Sequence, residues 1–255
     1  MSARLAALSR YTVTGSLAKG LLLDPADMST MWQDSAKTVP VTAPGDPVRV
    51  IKDLSGNGYQ AVALADNRRP LLQTDGYRYW LEFDGADDYM TFPNVVDRDF
   101  VVSIGYRQRP GDSGFRGIIL SDYRERAYLP SGSAQAFFCA GGSVSLGGLA
   151  VDTDYTLSGY RRNSNGIGAY KNGALAGTAN SDNGVHYGAG AIAAYVNNQA
   201  GDGVNQISKI RFYGMGVISR SDQLDDDRLA MEAFVNERMA ERPPLSAGAA
   251  MLMAR

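Results

Sequence analysis

The chain has 255 residues, 44% hydrophobic and 20% charged, with a formal net charge of −2. Cys139 is the one cysteine and His186 the one histidine, which excludes an intrachain disulfide framework and any cysteine-based zinc site. No run reaches the roughly 18–20 consecutive apolar residues of a membrane-spanning helix, and no long basic stretch marks a nucleic-acid surface.

Residues 1–20 read as an N-terminal arm. Its first ten residues carry no continuous apolar stretch between their charges, so no secretory signal is expected. Residues 4–8 suggest one or two helical turns and 12–20 a short strand at most. The core is expected to open at Leu21-Leu22-Leu23. Between Thr38 and Pro47, Pro40, Pro44 and Gly45 forbid helix and central strand alike. Val48-Arg49-Val50-Ile51 then reads as a strand closed by the turn Ser55-Gly56-Asn57-Gly58, in which Asn-Gly tolerates positive φ.

Short alternating runs follow at 79–83, 89–92, 100–106, 117–121, 135–139, 143–146 and 155–161. A hairpin over 167–174 turns on Asn172-Gly173, and 191–195 and 209–217 complete the set. Many brief strands joined by Gly, Asn and Asp turns predict two packed antiparallel sheets or a barrel. No strict repeat period points to a propeller or β-helix. Of the 27 acids only Glu82, Glu125, Glu232, Glu237 and Glu241 are glutamate; aspartate favours turns, and the last three mark a helix. That helix is predicted over 222–241, with Leu229, Phe234, Val235 and Met239 near a 3.6-residue period. Asp225, Asp226 and Asp227 suit its positive end, and Pro243-Pro244 stops it. Residues 21–242 thus form one domain, and 243–255 a tail.

Several segments carry a resemblance. Leu21 to Asp34, the turn Asp53-Leu54-Ser55-Gly56-Asn57-Gly58, the run Phe83-Asp84-Gly85-Ala86-Asp87-Asp88-Tyr89, the hairpin Tyr170-Lys171-Asn172-Gly173 and the strand from Ile210 occur in an order that resembles phage and prophage proteins with a concanavalin A-like (laminin-G-like) jelly roll. The resemblance covers about residues 20–241. It implies an all-β, two-sheet antiparallel jelly-roll sandwich with one C-terminal amphipathic helix. Lectins, glycosidases, adhesion modules and virion structural proteins share that fold, so it does not fix the function.

The residues divide among four chemistries. Asp84, Asp87 and Asp88 lie within five positions, and Asp53 with Asn57 lies in another loop; such oxygens suit Ca²⁺, and equally cap turns. Laminin-G-like domains often hold one calcium, and no other cofactor is expected. Glycoside hydrolysis needs two carboxyl groups across the bond. The Glu-x-Asp-x-Glu pattern of concanavalin A-like glucanases stops short here, because Ala86 follows Glu82-Phe83-Asp84. Nucleophilic catalysis would have to use His186 or Cys139; His186 sits in a turn-rich loop, and Cys139 reads as a buried thiol. Finally, Tyr123, Tyr128, Tyr187 and Tyr195 are candidates to stack on sugar faces.

These readings lead to one expectation and two rivals. The expected protein is a non-enzymatic bacteriophage virion component (tail-associated, fibre-like or capsid-decorating) at the particle surface, made in the host cytoplasm. It would dock to other virion proteins through residues 1–20 and 245–255, form a homo-oligomer and touch host glycan, without binding nucleic acid or inserting in a membrane. The rivals are an adhesin with a calcium-dependent sugar site and a glycan depolymerase acting through Glu82 or Glu125.

Overall fold

Alternation along the strands decides the architecture, because each strand offers one apolar face that must be covered. The computed structural model describes residues 2–240 except 14–15, 97–98, 112–115, 120–124, 130–134, 140–141, 163–165, 181–189, 194, 198–202, 206 and 221–223. Helix α1 (Ala3–Ser9) is followed by β1 (Thr12–Val13), β2 (Ser16–Leu17), β3 (Lys19–Leu23), β4 (Met31–Trp32), β5 (Val50–Lys52), β6 (Gln60–Val62) and β7 (Leu71–Thr74). Next come β8 (Tyr79–Asp84), β9 (Met90–Phe92), β10 (Phe100–Gln108), β11 (Arg116–Ile119), β12 (Glu125–Leu129), β13 (Gln135–Cys139) and β14 (Gly142–Gly147). The chain continues through β15 (Asp154–Arg162), β16 (Gly166–Lys171), β17 (Ala174–Asn180), β18 (Gly190–Ile192), β19 (Tyr195–Asn197), β20 (Gly203–Asn205), β21 (Lys209–Ser219) and α2 (Leu224–Met239).

Two antiparallel sheets result. An eight-stranded sheet runs β17-β16-β15-β10-β21-β8-β7, with β3 also paired to β21; a nine-stranded sheet runs β14-β13-β12-β11-β18-β9-β6-β5-β4. Leu81, Phe83, Phe100, Val102, Ile104, Ile210 and Phe212 from the first meet Ile51, Ala61, Met90, Phe92 and Ile192 from the second in one buried cluster. The fold is the expected all-β jelly-roll sandwich with a C-terminal helix. Leu81 and Phe83 take the inner face of β8, which leaves Trp80 on the outer face against Tyr213, ring centroids 6.0 Å apart.

Helix α2 lies on the outer face of the eight-stranded sheet, where glycines make room for it. A Cβ on Gly105 would sit 2.6 Å from Val235 Cγ1. Met231, Phe234 and Val235 are buried there, while Leu229 is 54% exposed. The helical period therefore places the apolar stripe one step from where Leu229 suggests, and Met231 fills that position. No described helix is long and apolar enough to cross a membrane.

The N-terminal residues differ most from expectation. Instead of an arm outside the core, Ala7 and Tyr11 are buried in a second cluster with Leu22, Val101, Ile218, Met231, Phe234 and Val235. Ser2 caps α1 by accepting from Leu5 N. Arg10 Nε bonds Asp227 Oδ1 at 2.7 Å, and Ala3 N donates to Glu237 at 2.9 Å. Arg238 holds buried Asp24 with two bonds of 2.8 and 2.9 Å. Two helices and the entry strand thus close one face together.

Candidate functional site

The loop after β5 is built by its own side chains. Gly56 and Gly58 adopt φ of +93° and +77°, the left-handed region that glycine enters without strain. Asp53 Oδ1 accepts from Ser55 N and from Leu22 N, both at 2.8 Å. Asn57 Nδ2 donates to Ala18 O at 2.9 Å and Gly20 O at 3.2 Å. Burial raises the Asp53 carboxyl above its ordinary range despite these bonds. Both residues clamp β3 to this loop, so the structure assigns their polar atoms to the fold and does not bring them to the other aspartates.

Asp84, Asp87 and Asp88 do converge, with carboxylate oxygens within 4.8 Å of one another. Asp84 Oδ1 accepts from Ala86 N at 2.8 Å, Asp87 N at 3.2 Å and Asp88 N at 3.3 Å. Asp88 Oδ2 accepts from Asp84 N, and Asp87 Oδ2 from the Asn67 amide. Among the described residues, the second oxygen of each carboxylate has no donor and no cation pairs with the trio. Burial first, and the Asp84 carboxylate second, push Asp88 up to about 7. Turn-capping is therefore realised, and one oxygen per aspartate is left over that would suit a hard cation.

A groove of about 680 Å³ opens beside the first loop, lined by Arg4, Asp27, Ser29, Trp32, Lys52 and Gly58 among others. Three separate segments build it: α1, the turn Met28–Thr30 leading into β4, and β5 with its loop. Half-buried Trp32 is fixed through its backbone by Arg49 N at 2.8 Å and by a bridge to Pro40. Lys37 Nζ lies 5.9 Å from the centre of its ring. Arg4 binds Asp27 at 2.6 Å, and Asp27 also accepts from Ser29 Oγ at 2.5 Å. Burial would raise the Asp27 carboxyl, but the bonds from Ser29 and Arg4 outweigh it and hold it below the ordinary range. A second groove of about 580 Å³, lined by Tyr59, Val62, Leu64, Phe92 and Pro93, adjoins the first at Gly58.

An indole beside paired charges and hydroxyls is the pattern that holds a polar ring with one apolar face. Sequence reasoning missed this groove; the signal for it was a tryptophan just ahead of a proline-rich segment. Tyr123 and Tyr187 lie outside the described residues, as do His186 and the side chains of Cys139 and Glu125. Tyr128 sits in β12 and Tyr195 in β19, where only the backbone is described. Glu82 is held by Trp80 Nε1 at 2.6 Å, Arg211 Nε at 3.0 Å and Arg109 Nε at 3.2 Å.

No family model matches the sequence, and no curated protein matches it. Solved structures do share the fold. The binding domain of botulinum neurotoxin DC in complex with SialylT aligns over 84% of this chain and 51% of its own, with TM-score 0.52 and 10% identity. A botulinum neurotoxin type C structure, whose cell entry depends on two ganglioside molecules, aligns over 85% and 51% with TM-score 0.52 and 11% identity. The Trypanosoma rangeli sialidase, in complex with 2,3-difluorosialic acid, aligns over 87% of this chain and 33% of its own, with TM-score 0.54 and 12% identity. The chain spans about half the length of the neurotoxin structures. At these identities the likeness is one of fold, a jelly-roll sandwich.

Proposed function

We propose that the chain is a non-enzymatic glycan-contacting protein that holds sugar in the Trp32 groove. The supporting observation is the groove itself, which Trp32 lines together with Lys52, Ser29 and the Arg4–Asp27 pair. Sugar rings stack their C–H face on such an indole and exchange hydroxyl hydrogen bonds with neighbouring polar groups. The similar fold of a neurotoxin binding domain in complex with SialylT, and of a neurotoxin whose cell entry depends on two ganglioside molecules, supports the same reading. The setting we propose is a bacteriophage particle, in a tail-associated, fibre-like or decorating position, supported by the ordered motifs from Leu21 to Ile210. The C-terminal segment 245–255 is the proposed attachment to other virion proteins.

A glycan array probed with the full chain in calcium and in EDTA tests the binding. The expected result is selective binding that Trp32→Ala reduces at least tenfold while the melting temperature holds within a few degrees. Calcium dependence would bring in the three aspartates. Absence of binding in both conditions, or binding indifferent to Trp32→Ala, overturns the groove assignment. Imaging of the intact particle tests the setting.

A further inference from the structure

The two grooves share one face of the nine-stranded sheet. Met31, Ile51, Ala61, Met90 and Phe92 belong to the core between the sheets, so alternation turns Trp32, Val50, Lys52, Gln60, Val62 and Thr91 to the outer face. The ladder sets these residues in rows. Trp32 is paired with Val50, Val50 with Val62, and Val62 with Thr91; two residues further along β5, Lys52 is paired with Gln60. Lys52 therefore stands diagonally from Trp32 on the same face, a relation that brings long side chains within reach of one another. Lys52 lines the first groove, Gln60 the second, and Gly58 both. Lys52 thus marks the join of a track that crosses β4, β5, β6 and β9.

The charges of the first groove do not cancel. Asp27 is taken up by Arg4 at 2.6 Å and by Ser29, whose N and Oγ lie 3.2 and 2.5 Å from its Oδ1. Arg4 also faces the buried Asp24 carboxylate at 3.7 Å. Asp53 accepts from Leu22 N and Ser55 N on one oxygen and from Ser55 Oγ on the other, so its charge is turned to the fold. Lys52 is exposed, and among the described residues its ammonium has no ion pair and no hydrogen bond. Lys37 adds a second cation, 5.9 Å from the centre of the Trp32 ring.

We infer that the saccharide held here is an acidic oligosaccharide: its carboxylate, sulfate or phosphate group pairs with Lys52, one ring lies against Trp32, and the chain continues past Gly58 into the second groove. This rests on the Trp32 groove as the sugar site and adds the ligand's charge and direction. An ammonium left without a counter-ion beside a ring platform gains a charge-assisted hydrogen bond from an anionic sugar. A neutral sugar draws no such contact from it, and a basic one is repelled by both lysines. The two volumes, about 680 and 580 Å³, each fall within the roughly 300–1,000 Å³ of a small-molecule site, so together they have room for more than one ring.

An array that prints uronic-acid, sulfated and phosphorylated saccharides beside their uncharged parents, each as single sugar and as longer oligomer, tests this with the full chain. Wild type should prefer the acidic member of a pair about tenfold, the worth of one hydrogen bond to a charged group, and the oligomer over the single sugar. Added salt should erode the preference for acid. Lys52→Gln, at an exposed position, should abolish that preference with an unchanged melting curve and leave binding to the uncharged parents intact; Lys52→Arg should keep it. The strongest acidic series identifies which anion is recognised. Equal signal from acidic and uncharged members, or a preference indifferent to Lys52→Gln, overturns the inference and leaves the Trp32 groove standing. Single sugars binding as well as oligomers overturns the continuation into the second groove. Silence from every member of the array overturns the inference and the sugar site together.

Discussion

The hydroxyl of Tyr11 lies 2.8 Å from the carbonyl of Val217, joining the eleventh residue to the last strand of the eight-stranded sheet. The same hydroxyl reaches Leu21 O at 2.8 Å, and the ring is wholly buried under α2. Burial, with Asp53 and Asp227 nearby, raises the phenol well above its ordinary range, so it stays a donor. Tyr11→Phe removes the hydrogen bonds alone and should cost about 1–2 kcal/mol. Tyr11→Ala also opens a cavity and should cost about 3–5 kcal/mol. Urea denaturation of the two variants checks the order. Equal losses would mean that the hydroxyl carries the whole contact.

Helix α2 depends on a surface without side chains. Gly105 pairs with Gly214 in the middle of the sheet, and Val235 and Met239 rest on the first of them. Gly105→Ala drives a methyl into Val235 and should cost about 1–3 kcal/mol. Val235→Ala alone loses packing, but in the Gly105→Ala background it should restore part of the loss, a coupling visible in a double-mutant cycle. Strict additivity would show that the helix does not seat on that glycine.

The Asp88 carboxyl sits 8% exposed, with Asp84 and Asp87 beside it. Its pKa in the folded chain, about 7, is above that of the unfolded chain. Its protonated form thus adds stability that is full below the ordinary carboxylate pKa and is lost as pH rises through about 7. The melting temperature should fall as pH rises from about 4 to about 7, the interval between the two pKa values, and level off above it. Asp88→Asn should flatten that slope and gain about 1–3 kcal/mol at the alkaline end. Millimolar calcium should lift the wild type at the same pH and leave Asp88→Asn unmoved. No lift in the wild type would leave the three aspartates as loop caps.

The parts of this structure that were legible were those whose cause is local. The alternation of Leu81 and Phe83, the Asn172-Gly173 turn with φ of +51° and +79°, and the Asp84 loop each draw on neighbours within a few positions. Strands β6 and β7 went unread although β5 and β9, equally short, were read. The burial of Ala7 and Tyr11 was hidden for another reason: their packing surface is α2, more than two hundred residues onward. The Trp32 groove was hidden in the same way, being assembled from three segments that only the fold brings together.

Glu82 offers the sharpest division between a binding protein and a hydrolase. Its Oε2 accepts from Trp80 Nε1 and Arg211 Nε, and its Oε1 from Arg109 Nε. Arg211 in turn lies 4.3 Å over the Trp80 ring. Both oxygens therefore already accept hydrogen bonds from groups of the fold. The carboxylate's work is to hold two guanidinium groups and an indole against the outer face of β8 and β21. Glu82→Gln keeps the shape but removes the charge that both arginines face, and should cost about 1–2 kcal/mol of stability, since the group is only partly buried. Release of reducing sugar from host glycan should be nil for wild type and variant alike. Release by the wild type that disappears in Glu82→Gln would place chemistry at this cluster and reverse the non-enzymatic reading.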